Sequence, residues 1–141
     1  MVRNFKDLEI WKEAHELALI LYKITQKFPS SEQYGLVSQI RRSSTSIGAN
    51  ISEGCGQNTS AATKRYIFIS YSSLQELKYH LILAKDLDYI SKEKYETLDN
   101  RYTVLSKRIY TFIKNMPNQP HYILPDTWYP MPDALIQYPL E

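Results

Sequence analysis

An all-α fold, built as an antiparallel up-and-down four-helix bundle with a proline- and aromatic-rich C-terminal arm, is what this sequence predicts. Three observations carry that expectation. Apolar residues recur three and four apart through four long segments. Short stretches rich in Pro, Gly, Ser and Thr separate the segments. Six of the seven prolines fall after Met116, where Lys and Arg also cease.

The first helix is expected over about residues 7–28. Ile10, Ala14, Leu17, Leu21, Ile24 and Phe28 form its stripe, Asp7 is the candidate N-cap, and Pro29 stops it. The second is expected over about 31–54, opened by Ser30 and Gln33 in the spacing of a capping box, with Ser31 as the other candidate cap. Leu36, Ile40, Ile47 and Ile51 line it, Ser43 fills the gap, and Gly54 and Gly56 suit its end. The third, over about 60–87, carries Ile67, Tyr71, Leu74, Leu77, Leu81 and Ala84 on one face. Phe68, Ile69, Ile82 and Leu83 make it apolar around much of the rest, so it is expected to be surrounded by protein. Three neighbouring helices offer too little cover, and a subunit interface follows as the expectation. The β-branched and aromatic run from Tyr66 to Tyr71 has strand propensity, but helical spacing on both sides overrides it. The fourth helix, about 91–116, follows Asp88-Tyr89-Ile90 with Ser91 as N-cap. Tyr95, Leu98, Tyr102, Leu105, Ile109, Phe112 and Met116 alternate three and four apart, and Pro117 ends the helix.

Residues 1–116 therefore read as the bundle and 117–141 as an extended, polyproline-like arm. The arm also holds Tyr122, Trp128, Tyr129 and Tyr138, an aromatic content unlike that of a solvated tail, so it is expected to dock on the bundle or on a neighbour. The bundle carries all 17 Lys and Arg against 12 of the 15 Asp and Glu, a net of +5; the arm carries three acids and no base, a net of −3.

Composition excludes several classes. With Cys55 alone, no intrachain disulfide and no cysteine-cluster metal site can form. No apolar run reaches the roughly 18 residues of a membrane span, and no signal-peptide core precedes the first helix, so the expectation is a cytoplasmic protein without a membrane partner. His15, His80 and His121 are scattered, and Glu13-Ala14-His15 and Glu76 to His80 have the wrong spacing for a di-metal bundle. Neither a G-x-S-x-G elbow nor a phosphate-binding glycine loop is present. No catalytic set, cofactor, metal or small-molecule substrate is expected.

Gly35 to Gly54 is the most distinctive stretch. Beside its apolar stripe runs a polar one: Gln39, Arg42, Ser46, Asn50 and Glu53. It either faces water or forms a hydrogen-bond network between helices or subunits, with Arg42 and Glu53 satisfying each other. Its short side chains let helices approach closely and favour the network. Glu76, in the most apolar helix, is expected to pair with Arg41 or Arg42. Lys94, Arg101 and Arg108 recur every seven residues, joined by Lys64, Arg65, Lys107 and Lys114. These seven either pair and stay solvated or neutralise phosphates, and in a ring of identical subunits their field would add.

Three blocks resemble the intervening-sequence ("four helix bundle") protein family of bacteria, associated with insertions in large-subunit ribosomal RNA genes. They are Phe5 to Trp11, Gly35 to Gly54, and Ser73-Leu74-Gln75-Glu76-Leu77. Ser43, Ser44 and Ser52 stand where that family usually has alanines, and Gln57 where it usually has a basic residue. The resemblance implies a bundle that assembles as a ring, commonly a homopentamer. It also implies kinship with accessory variability determinant proteins of retroelements, basic barrels that bind nucleic acid and a reverse transcriptase. The resulting expectation is a non-enzymatic, homo-oligomeric scaffold that binds RNA or a nucleoprotein. The alternative is a protein–protein interaction module without nucleic acid.

Overall fold

The computed structural model describes residues 4–116. Four α-helices occupy them: α1 (Glu9–Thr25), α2 (Leu36–Cys55), α3 (Ser60–Asp86) and α4 (Lys92–Asn115). Short 3-10 helices, Phe5–Asp7 and Ser30–Glu32, precede α1 and α2, and no strand occurs among the described residues. The Tyr66 to Tyr71 run lies inside α3. The proline-rich arm, residues 117–141, lies outside the described residues. No described helix is long and apolar enough to cross a membrane.

The helices run alternately up and down as a bundle. α2 and α3 pair most closely, and α1 and α4 least. Leu17 and Leu21 of α1, Ile40, Ile47 and Ile51 of α2, Ile67, Leu74 and Leu77 of α3, and Tyr102, Leu105 and Ile109 of α4 fill one core. In α3 the buried positions are Ser60, Thr63, Ile67, Ser70, Leu74, Leu77, Leu81 and Ala84, a strict alternation of three and four. Ser70, rather than the expected Tyr71, holds the core position; Tyr71 is half-buried at its edge.

Several helix ends differ from the sequence expectation, each for a local reason. Asp7 does not cap α1. It closes a capping box with Asn4 around Phe5–Asp7, and Leu8 precedes the helix. α1 stops at Thr25, short of Phe28, because Phe28 precedes Pro29 and such a residue is pushed out of helical backbone. The Thr25 hydroxyl turns back to donate to the Leu21 carbonyl at 2.7 Å, and the Phe28 ring packs on Tyr89 at 5.3 Å. α2 begins at Leu36 instead of residue 31. Ser30 and Gln33 form a 3-10 turn, and the cap comes from Glu32, whose Oε1 accepts from Leu36 N at 3.2 Å. Gly35 permits that geometry, since a Cβ there would stand 2.7 Å from Glu32 Oε1. Glu32 Oε2 also accepts from the Tyr89 hydroxyl at 2.8 Å, which ties this turn to the α3–α4 link. Ser91 caps α4, as its sequence position suggests, accepting from Lys94 N at 3.1 Å. In the preceding link, Asp88 takes φ of 62°, the left-handed region that Asp tolerates better than most residues.

Candidate subunit and nucleic-acid surfaces

The distinctive stretch of α2 meets α3 along a ladder of short polar side chains. Ser70 Oγ donates to the Ile47 carbonyl at 2.8 Å, and Thr63 Oγ1 to the Gly54 carbonyl at 2.8 Å. Ser46 Oγ and Ser73 Oγ lie 2.9 Å apart, and Asn50 Nδ2 donates to the Ser46 carbonyl and hydroxyl at 2.8 and 3.0 Å. Gly54 marks the closest approach: a Cβ there would meet Ile67 Cδ1 at 3.1 Å and the Thr63 carbonyl at 3.3 Å. Small residues draw the two backbones together, and their hydroxyls donate to carbonyls of the facing helix.

Further along the same stripe, Arg42 pairs with Glu76 across the two helices, and Gln39 Oε1 accepts from Arg42 Nη2 at 2.9 Å. His80 Nε2 lies 2.9 Å from Glu76 Oε2. The His80 hydrogen bond, together with the charge of Arg42, holds the Glu76 carboxyl below the usual glutamate range. Glu76 thus remains an ionised clamp rather than a proton donor. Of the two candidate partners, Arg42 takes this role. Arg41 turns the other way, donating from Nε to Thr25 Oγ1 at 3.0 Å and from Nη2 to the Tyr22 carbonyl at 3.3 Å, and stacking over the Tyr22 ring at 4.5 Å. It caps the C-terminal end of α1. Glu53 does not meet Arg42: they lie on separate turns, Glu53 is exposed, and Arg42 is engaged by Glu76.

His15 stacks on Trp11 at 5.0 Å. The Cys55 thiol is buried, and desolvation pushes its pKa up to about 12, so it is no nucleophile. The Tyr102 hydroxyl is buried without a hydrogen-bond partner among the described residues, and desolvation raises its pKa far above the usual phenol range. Among the described residues, no three His, Cys, Asp or Glu side chains gather as metal ligands would.

The outer face of α3 mixes large apolar side chains with the exposed polar residues Arg65, Ser72 and Gln75. Phe68 is 51% exposed, Ile69 41%, Tyr79 59% and Ile82 39%. Phe68, Tyr79 and Ile82 share a stripe opposite the core face, eleven and three residues apart. On α4, Tyr110 packs against Tyr71 at 5.9 Å while 53% exposed, and Val104 is 50% exposed. One bundle leaves these side chains in water.

The seven basic residues do not form one cluster. Arg101 faces α1, donating from Nε and Nη2 to Glu13 Oε1 at 3.0 and 2.8 Å, with Glu16 Oε2 at 3.4 Å. It is an interhelical strut. Lys94 lines the same α1–α4 hollow as Arg101, with Ile20 and Ile24 of α1. Arg65 borders a hollow with Gln57, Ala62, Tyr66 and Ile69 at the start of α3. Arg65, Lys94, Lys107, Arg108 and Lys114 are exposed and make no ion pair among the described residues. Lys64 is half-buried and engaged. Sequence reasoning missed Glu13, Glu32, Thr63 and Ser70. The last two were signalled by the unbroken three-four alternation through α3. The glutamates reach helices distant in sequence, which no local spacing announces.

The 23S rRNA-intervening sequence proteins match residues 6–111, a span that covers all of α1, α2 and α3 and most of α4. The chain belongs to that family. The crystal structure of a protein of unknown function from the S23 ribosomal protein family of Bacteroides thetaiotaomicron is similar, with a TM-score of 0.68 and 29% sequence identity. The match covers 75% of this chain and 99% of that one. No curated protein matches the chain. In this intervening-sequence protein, the stretch from Gly35 to Gly54 is where α2 is capped, crosses α3 and clamps it: Gly35 admits Glu32, Gly54 admits Ile67, and Arg42 holds Glu76.

Proposed function

We propose that this intervening-sequence protein is a non-enzymatic scaffold that assembles with copies of itself through the outer face of α3, as a ring and specifically a pentamer, and binds RNA or a nucleoprotein partner. The observation that carries the reading is the exposed stripe of Phe68, Tyr79 and Ile82. Large apolar side chains held this exposed are candidates for burial between copies, which returns about 25 cal/mol per Å² of apolar surface. Nucleic acid as the partner is supported by the net +5 of residues 1–116 and by five exposed cations that no carboxylate engages among the described residues. Scattered over one protomer they are weak. Repeated around an axis, their potentials add, and phosphate binding then becomes strongly salt-dependent. The non-enzymatic reading is supported by the Arg42–Glu76 pair, whose carboxyl is held in the ionised form by His80 and Arg42 and bridges α2 to α3.

Light scattering of the purified full chain at low and high salt, read with its absorbance ratio at 260 and 280 nm, tests this. The expected result is a ring of several copies carrying RNA that salt removes. Tyr79→Asp with Ile82→Asp should yield monomers with unchanged helical circular dichroism. Lys107→Glu with Lys114→Glu should keep the ring and lose RNA. A monomer indifferent to RNA overturns the proposal. A ring that never binds RNA leaves a protein-binding module.

A further inference from the structure

α1 and α2 leave an open groove of about 340 Å³ on their outer side. Its walls are unequal. Phe5, Trp11 and His15 form an aromatic file, Phe5 edge-on to Trp11 at 5.2 Å and Trp11 stacked on His15 at 5.0 Å. Opposite them, Ser44, Thr45, Gly48, Ala49 and Ser52 present a shallow floor. Gly48 lies directly beneath the indole: a Cβ there would stand 3.6 Å from Trp11 Nε1. The indole N–H makes no hydrogen bond among the described residues, and Trp11 is half-buried. An aromatic wall that carries an N–H donor, above a small-residue floor, suits a polyproline segment. Proline rings lie against aromatic faces, and the peptide carbonyls, which have no internal partners in that conformation, accept from the wall.

We propose that this groove holds the chain's own proline-rich segment Trp128 to Pro132. The proposal goes beyond the scaffold reading and does not depend on it. Trp128-Tyr129-Pro130-Met131-Pro132 places two prolines and two aromatics in five residues, the densest such stretch of the arm. Reach allows it. Arg101 opposite Glu13, and Leu98 beside Ile20 and Ile24, run α4 antiparallel to α1, so α4 finishes at the end of the bundle where Trp11 begins. The twelve residues from Met116 to Trp128 span roughly 37 Å at about 3.1 Å each. That is close to the full length of α3, whose 27 residues rise about 40 Å. The match to the intervening-sequence family stops at residue 111, so the arm is an addition to the family's bundle, and it covers a groove built from that family's own helices.

Chymotrypsin cleavage of the full-length protein under native conditions tests the assignment, because it reports on the undocked population. Tyr122 and Trp128 are its main sites in the arm, since Tyr129 and Tyr138 each precede a proline and are not cut. Ala49 is exposed and lines the groove, so Ala49→Arg fills the groove without touching the core. In the wild type, arm cleavage should be slow and independent of protein concentration. Ala49→Arg, and separately Pro130→Ser with Pro132→Ser, should each speed cleavage after Trp128 about tenfold, relative to a free peptide of the same arm sequence, with circular dichroism unchanged. Equal rates in wild type and both variants overturn the proposal. So does protection that grows with concentration, which assigns the groove to a neighbouring copy. An Ala49→Arg protein that changes mass by light scattering without changing arm cleavage also overturns it, since a second bundle then occupies the groove.

Discussion

The bundle is stitched in two different ways at its two lateral seams. Where α2 meets α3, Gly, Ser, Thr and Asn bring the backbones close, and nearly every bond is short-armed: Ser70 to the Ile47 carbonyl, Thr63 to the Gly54 carbonyl, Ser46 to Ser73. Where α1 meets α4, the helices stand further apart and the span is bridged by the long arms of Arg101 and Glu13. An open cavity of about 330 Å³ remains between them, lined by Ile20, Ile24, Lys94, Leu98 and Arg101. Small side chains make a seam that tolerates almost nothing larger. Long ones make a seam that tolerates rearrangement. The motif by which the chain resembles its family lies on the first seam, where packing constrains residue identity most.

Four substitutions probe that contrast, from the largest expected effect to the smallest. Gly54→Val puts branched methyls against Ile67 and the Thr63 carbonyl and should cost about 3 kcal/mol, read as a fall in the urea midpoint. A loss smaller than about 0.5 kcal/mol would show that the close seam has slack. Arg101→Ala on the opposite seam removes both bonds to Glu13 and should cost about 1 kcal/mol, discounted because Arg101 is one-third exposed. If it costs as much as Gly54→Val, the two seams are equally rigid and the comparison fails. Tyr102→Phe should raise the melting temperature, with a gain of about 1 kcal/mol, because it deletes a buried hydroxyl that has no partner among the described residues. Destabilisation instead would reveal an ordered water or a partner beyond those residues.

Glu76→Gln is the gentlest of the four. The clamp is largely solvent-exposed, so its loss at neutral pH should amount to a few tenths of a kcal/mol. Its pH dependence has a definite sign. The Glu76 carboxyl is held below its ordinary value, so its contribution is present above the unfolded glutamate pKa and disappears as pH falls through the depressed one. Melting curves of the wild type and the Gln variant should therefore differ most at neutral pH and converge in acid. Curves that stay parallel throughout would detach the shift from stability.

Much of this was legible in the sequence, and what escaped shares a cause. The four helices follow from apolar spacing, and Ser91 announced the start of α4 because its cap bond is local. The start of α2 escaped because its cap comes from Glu32 through an intervening 3-10 turn, while Ser30 and Gln33 imitate a capping box. Asp7 was misleading for a similar reason: Asn4 claims it first. In the polar stripe, the spacing from Gln39 to Glu53 correctly placed its members on one side of a helix. It could not say that Arg42 would reach Glu76 while Arg41 turned to α1. Those choices depend on which neighbour presents a carboxylate or an orphan carbonyl, and that is decided by how the helices pack.

Cys55 has a practical consequence. Only 1% exposed and with its thiol pushed up to about 12, it presents no sulfhydryl to a maleimide while the chain is folded. A cysteine engineered anywhere on the surface becomes a unique address for a dye or spin label, without first deleting the native one. The same shielding makes Cys55 a built-in reporter: under pulse labelling, the native sulfur should be modified only in molecules that have opened, so its labelling rate clocks the breathing of the α2–α3 seam.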